Sequence, residues 1–152
     1  LRLDVTVHEG GRLVLDEGPL IVAAGADVQR RCMIELETDA VVALRETVVL
    51  GRDGEAAGTL DSSLRVTLAG RPLLHDGLRV GAGGGWHVAL APGHRVVTTV
   101  SLLGVRPPSA RADALKLQGP GALLRATGRE AASADAAIDG TWAAWTRIAA
   151  GG

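Results

Sequence analysis

Apolar side chains recur at every second position through much of the first hundred residues. That is the period of a strand with one buried face, not of a helix. Leu1, Leu3, Val5 and Val7 open the series, and Gly10-Gly11 follows as a turn. Arg12 to Leu15 and Leu20 to Ala24 are short apolar runs separated by Gly18-Pro19, after which Cys32, Ile34 and Leu36 alternate. Val41 to Leu50 predicts a further strand. Leu64, Val66 and Leu68 alternate up to Ala69-Gly70, and Leu74 to Val80 returns from it, a pattern that predicts a β-hairpin. Gly81 to Gly85 reads as a loop, and Arg95 to Leu103 as another β-rich run that Pro107-Pro108 ends.

The tail changes period. Thr127-Gly-Arg-Glu130 has the spacing of a capping box, in which a Thr hydroxyl and a Glu carboxylate each satisfy a free N–H at a helix start. Ala134, Ile138, Trp142, Trp145 and Ala149 then fall on one helical stripe, interrupted only by the penalty of Gly140, about 1 kcal/mol relative to alanine. The pattern therefore predicts a mainly all-β chain, a sandwich or an open coil of sheets, ending in a short C-terminal α-helix with Trp142 and Trp145 buried against the strands.

Composition narrows the function classes. The 152 residues suit one domain. Sixteen basic against seventeen acidic residues provide no general field for nucleic acid or an anionic membrane surface, so neither is expected as a partner. There is no Phe or Tyr, so Val, Leu, Ala, Ile and three tryptophans must fill the core. Cys32 is the sole cysteine, which removes any internal disulfide and fits a cytoplasmic setting. No stretch approaches the roughly 20 apolar residues of a membrane span, and no secretory pattern opens the chain. The start, without Met and directly in an alternating segment, reads as the later part of a longer protein.

Several familiar chemistries fail. Gly81 to Gly85 lacks the third glycine of a dinucleotide fingerprint and the Lys-Ser/Thr ending of a P-loop. Ser62-Ser63, Thr98 and Thr99 have no nucleophile-elbow context, and Cys32 sits among alternating apolar residues as a small core residue. His8, His75, His87 and His94 show no helical metal-pair spacing. His87 and His94 flank a turn-containing stretch, which leaves two readings: hairpin histidines, or a transient contact for a borderline metal such as nickel.

Glu46 stands apart, because it occupies the apolar row Leu44, Val48 and Leu50. An isolated carboxylate removed from water protonates unless something answers its charge. Arg52, six residues on, is the nearest basic candidate along the chain. Two readings stay open: a buried ion pair that locks the Gly51 turn, or a carboxylate lining a water-filled passage.

The stretch from Glu46 to Glu55 reads E-x-x-x-L-G-R-x-G-E, with Leu50, Gly51, Arg52 and Gly54 between. It resembles the central signature of the urease accessory protein UreD (UreH) family. Pro19 to Asp27, Leu64 to Gly81, with Gly70-Arg71-Pro72-Leu73 at its turn, and Leu115 to Gly128 are similar to further segments of that family. Nearly the whole chain is covered, but the Gly-Gly-rich front half usual in the family has no counterpart, so an open sheet edge is expected. The resemblance implies a two-layered helical arrangement of strands and a nickel-insertion scaffold, not an enzyme. It implies UreF, the GTPase UreG and apo-urease as partners, no permanently bound cofactor, and nickel in transit. Glu46 is then a candidate oxygen ligand for the passing ion, with Arg52 and Glu55 shaping the turn beside it. Two other readings compete: a β-rich hydrolase using Glu46 and Glu55 as a carboxylate pair, and a metal-free binding module.

Overall fold

A computed structural model of the chain describes residues 1–81, 93–109 and 111–152. The expected His87–His94 approach and most of the Gly81 to Gly85 loop lie outside these residues. Among the described residues, ten strands and one helix follow in order: β1 Arg2–Val7, β2 Arg12–Asp16, β3 Leu20–Val22, β4 Asp27–Leu36, β5 Val41–Leu50, β6 Thr59–Leu68, β7 Arg71–Val80, β8 Val96–Leu103, β9 Leu115–Lys116, β10 Gly121–Gly128 and α1 Ala131–Ala150.

The strands form two sheets, ordered β1-β4-β6-β7 and β2-β5-β8-β10-β9, with β3 also on β5. From β1 to β6 the chain winds between them. Each pass lays a new strand parallel to one already in place: β4 on β1 and β6 on β4 in the first sheet, β5 on β2 and β3 in the second. Parallel neighbours normally need a long crossover; here the opposite sheet is the crossover. This is the coiled, two-layered β arrangement. The winding stops where β7 and β8 pair antiparallel with β6 and β5. The β6–β7 hairpin turns through Ala69 and Gly70, both at positive φ (48° and 74°), as a two-residue type I′ connection requires. Gly10-Gly11 is a turn too, but one that carries the chain from the first sheet to the second.

Period-two patterning explains β4, whose Cys32, Ile34 and Leu36 are buried while Arg31, Met33 and Glu35 face solvent. β5 and β8 differ because both their faces are covered, one by the first sheet and the other by α1. Three layers result. Between the sheets lie two apolar clusters, one around Ile34, Leu44, Leu64 and Leu103 and one around Val22, Leu50, Leu60 and Val80. A third, around Val100, Leu102, Leu124, Ile138 and Trp145, joins the second sheet to the helix.

Three expectations need correction. The helix spans 20 residues rather than being short, and no capping box starts it. Thr127 is still in β10, paired with Val97, so the helix begins three residues later with Glu130 at its N-cap and no side-chain cap. Trp145 is buried with Ala134, Ile138 and Ala149, whereas Trp142, one turn nearer the N-terminus, is only partly covered. The helix closes on Gly151 at φ 89°, with Gly151 and Gly152 N–H groups donating to Ile148 and Arg147 carbonyls, a Schellman ending. Strands β9 and β10 were not visible in the periodicity.

An interior charged layer between the sheets

The even positions of β5, from Val42 to Leu50, face the first sheet, and Glu46 with them. Its side chain is 15% exposed. The charge that answers it is Arg30 on β4, not Arg52: Arg30 Nη1 lies 2.5 Å from Glu46 Oε1. The same guanidinium donates through Nη2 to both carboxylate oxygens of Glu17, each at 2.8 Å, and Nη1 reaches Ser62 Oγ at 3.3 Å. Ser62 is Arg30's direct partner in the β4–β6 register, so its hydroxyl is delivered to that spot by pairing alone. A buried guanidinium is tolerable only when several acceptors share it, and this one has three side chains.

Glu17 reaches the layer through a defect in the edge strand. Asp16 pairs with Arg45 and Leu20 with Val48, so Glu17, Gly18 and Pro19 oppose only Glu46 and Thr47. Three residues against two make a bulge, with Pro19 lacking the N–H a ladder would need. The bulge divides the edge strand into β2 and β3 immediately beside Glu46.

A second clasp spans the same gap with opposite polarity. Arg125 on β10 pairs with Asp76 on β7 and donates through Nε to Thr99 Oγ1 at 2.9 Å. Thr99 faces Glu46 across β5–β8 and Arg125 across β8–β10. The two clasps border a cavity of about 40 Å³, which Gly18, Thr47 and Leu78 also line. That is room for a water molecule or two. Three carboxylates (Glu17, Glu46, Asp76) meet two guanidiniums (Arg30, Arg125), so the layer carries one excess negative charge when all are ionised. Burial pushes the Glu46 carboxyl above its usual range; Arg30 opposes this, and Glu17 and Asp76 add to it. Burial also works against the Arg30 charge, but Glu46 and Glu17 outweigh it and hold the guanidinium above its ordinary value.

The rest of the expected motif builds a surface turn. Gly51, at φ 77°, donates to the Val22 carbonyl at 2.9 Å, and a Cβ there would fall 2.6 Å from the Glu55 carbonyl oxygen. Gly54 is also left-handed, at φ 73°, while Leu50 is buried beneath the turn. Glu55 Oε2 accepts weakly from the N–H groups of Arg52 and Ala24, at 3.4 and 3.5 Å. Arg52 itself is largely solvated, 3.8 Å from Glu55. The ion pair expected between Glu46 and Arg52 is therefore absent, since the Gly51 turn points Arg52 outward. Glu55 does not line the cavity that Glu46 lines, so the two acids do not form a catalytic pair across a cleft.

The three described histidines disperse. His8 is exposed, 3.3 Å from Glu37; His75 is exposed on β7; His94 Nδ1 and Thr127 Oγ1 are 2.8 Å apart. Among the described residues no group of three or more His, Cys, Asp or Glu is arranged to hold a metal ion. Cys32 is buried, with its thiol pushed up to about 11 by desolvation. Nor is any described helix long and apolar enough to cross a membrane. Arg30, Glu17, Asp76 and Arg125 escaped the sequence reading, although Arg30 and Asp76 carry the signal that singled out Glu46. Each continues an inward apolar row: Arg30 before Cys32 and Ile34, Asp76 between Leu74 and Leu78.

The profile of the UreD urease accessory protein family matches residues 1–152. A urease accessory protein UreD 1 of Streptomyces griseus is 34% identical over 95% of the chain, and the match takes in 57% of that relative. The urease accessory protein UreD of Streptomyces coelicolor is 35% identical over 93% of the chain and 61% of its own length, and that of Frankia alni 35% identical over 86% and 53%. The chain thus spans a little over half the length of these curated relatives. Because the family profile matches the chain from residue 1 to residue 152, the chain belongs to the UreD urease accessory protein family.

Proposed function

We propose that this chain acts within a urease accessory protein that supports nickel insertion into apo-urease, as a scaffold and not as an enzyme. In this reading it works in the cytoplasm with UreF and the GTPase UreG, holds no resident cofactor, and handles nickel as cargo. The observation that carries the reading is the family match along all 152 residues. The interior layer lends it chemistry: hard oxygen donors beside a small polar cavity suit brief contact with a divalent ion. Glu46 is the contact proposed for that ion, at the centre of the layer.

The pairing of Glu46 with Arg30 favours a second reading, in which the layer only holds the sheets together. Glu46→Gln separates the two in the whole protein, assembled with its accessory partners and apo-urease. Assembly should survive while nickel per urease active site drops. If nickel content falls only in proportion to partner binding, the transit reading fails and the structural one stands.

A further inference from the structure

We propose that Arg30 is a positioning residue for cation transit, a tethered competitor that must release Glu46 before a divalent ion can engage that carboxylate and that returns to expel the ion afterwards. The inference rests on Glu46 being a contact for the ion, and it concerns a different side chain with its own signature. Arg30 occupies the place where a cation would meet Glu46. Nη1 lies 2.5 Å from Glu46 Oε1, while Nη2 is held separately by both oxygens of Glu17 at 2.8 Å. The guanidinium cannot relieve repulsion by losing its proton, because it stays charged at any relevant pH. It can yield only by moving. The two-oxygen grip of Glu17 keeps the head anchored when the single contact to Glu46 opens, and so keeps it within reach to close again. Both acids and the arginine line one cavity of about 40 Å³; with the guanidinium in place that leaves room for a water molecule or two, not for a hydrated ion. On the far side Asp76 is already claimed by Arg125, so it offers the ion no free carboxylate in exchange.

A competitor of this kind prevents retention. Without it, an ion that reaches Glu46 and Glu17 meets two uncompensated carboxylates and stays. Replacing Arg30 should therefore raise nickel retention while lowering delivery, the opposite of losing a ligand. The test uses the whole protein with its accessory partners, Ni²⁺ alone as the probe, and release of bound nickel into excess chelator. Arg30→Gln is expected to slow release by about tenfold, the equivalent of losing one charge-assisted competitor. Arg30→Gln combined with Glu46→Gln should return release to the wild-type rate. Arg30→Lys keeps the charge but loses the fork, so it should retain nickel to an intermediate degree; it also serves if Arg30→Gln does not fold. Wild-type release from both Arg30 variants, with Glu46→Gln still impairing delivery, overturns the role of Arg30 and leaves the transit reading intact. Normal delivery by Glu46→Gln removes the transit reading, and this inference with it.

Discussion

The layer predicts an asymmetry between its partners that stability measurements can read directly. Arg30→Met deletes the short contact to Glu46, two contacts to Glu17 and one to Ser62, leaving two carboxylates in a space already bordered by Asp76. Removing one side of a buried ion pair costs about 3–5 kcal/mol when the other charge is stranded. Glu46→Gln strands nothing. Arg30 keeps its two-oxygen grip on Glu17, the amide oxygen still accepts a hydrogen bond, and the burial that disfavours the Glu46 charge no longer acts. Its cost should be about 1 kcal/mol, one hydrogen bond weakened from charged to neutral. Urea unfolding of the whole protein and both variants should thus show a gap of roughly 2–4 kcal/mol between them. The pH dependence has a definite sign. In Arg30→Met the group that holds the Glu46 carboxyl down is gone, while burial, Glu17 and Asp76 still push it up. A carboxyl raised in the folded state contributes stability that is full below its unfolded value and lost as pH rises through the folded one. Arg30→Met should accordingly recover stability on acidification, and Arg30→Met with Glu46→Gln should recover less. Equal losses for the two single variants, or no acid recovery in Arg30→Met, would refute this account of the layer.

Three further outcomes are expected. Trp145→Ala should cost about 3–5 kcal/mol because the indole is fully enclosed, and Trp142→Ala distinctly less; equal losses in thermal or chemical unfolding would contradict the burial difference between them. Gly51→Ala should cost more than Gly54→Ala. Both impose about 1–2 kcal/mol of left-handed strain, but only at Gly51 does the new methyl strike a carbonyl, so matched unfolding midpoints for the pair would argue against the turn as described. Cys32, buried with its thiol near 11, should resist maleimide or disulfide reagents at pH 7–8 in the folded protein and react on unfolding; rapid labelling of the native state would show the first sheet to be open.

Legibility followed the number of covered faces. β4 and the β6–β7 hairpin were readable because one face of each is wet, so alternation survives. β8 has both faces buried and reads as an apolar run with threonines. β10 was invisible because Gly121 to Leu124 is likewise buried throughout, without a polar beat to mark a strand. The supposed capping box failed because Thr127 meets spacing rules while its backbone is committed to Val97. Glu46 was found as an anomaly, but its partner was sought along the chain when pairing across the sheets decides it: Arg30 is 16 residues away in sequence and on the facing sheet. Local spacing could not convey that the Gly51 turn directs Arg52 to solvent.

The charges on β5 also guard its alignment during folding. Glu46 turns toward Arg30, and the adjacent Arg45 turns the other way, onto Asp135 at 2.8 Å and Asp139 at 3.5 Å on the helix. A slip of one residue exchanges the two faces of a strand. For most of β5 that exchange is mild, since Val41 to Leu44 are apolar on either side. At the Arg45-Glu46 step it would set arginine against Arg30 and glutamate against Asp135 and Asp139 at once. A strand with so uniform a hydrophobic code is thereby denied its nearest misaligned alternative, by a two-letter check that works only when both neighbouring layers have arrived.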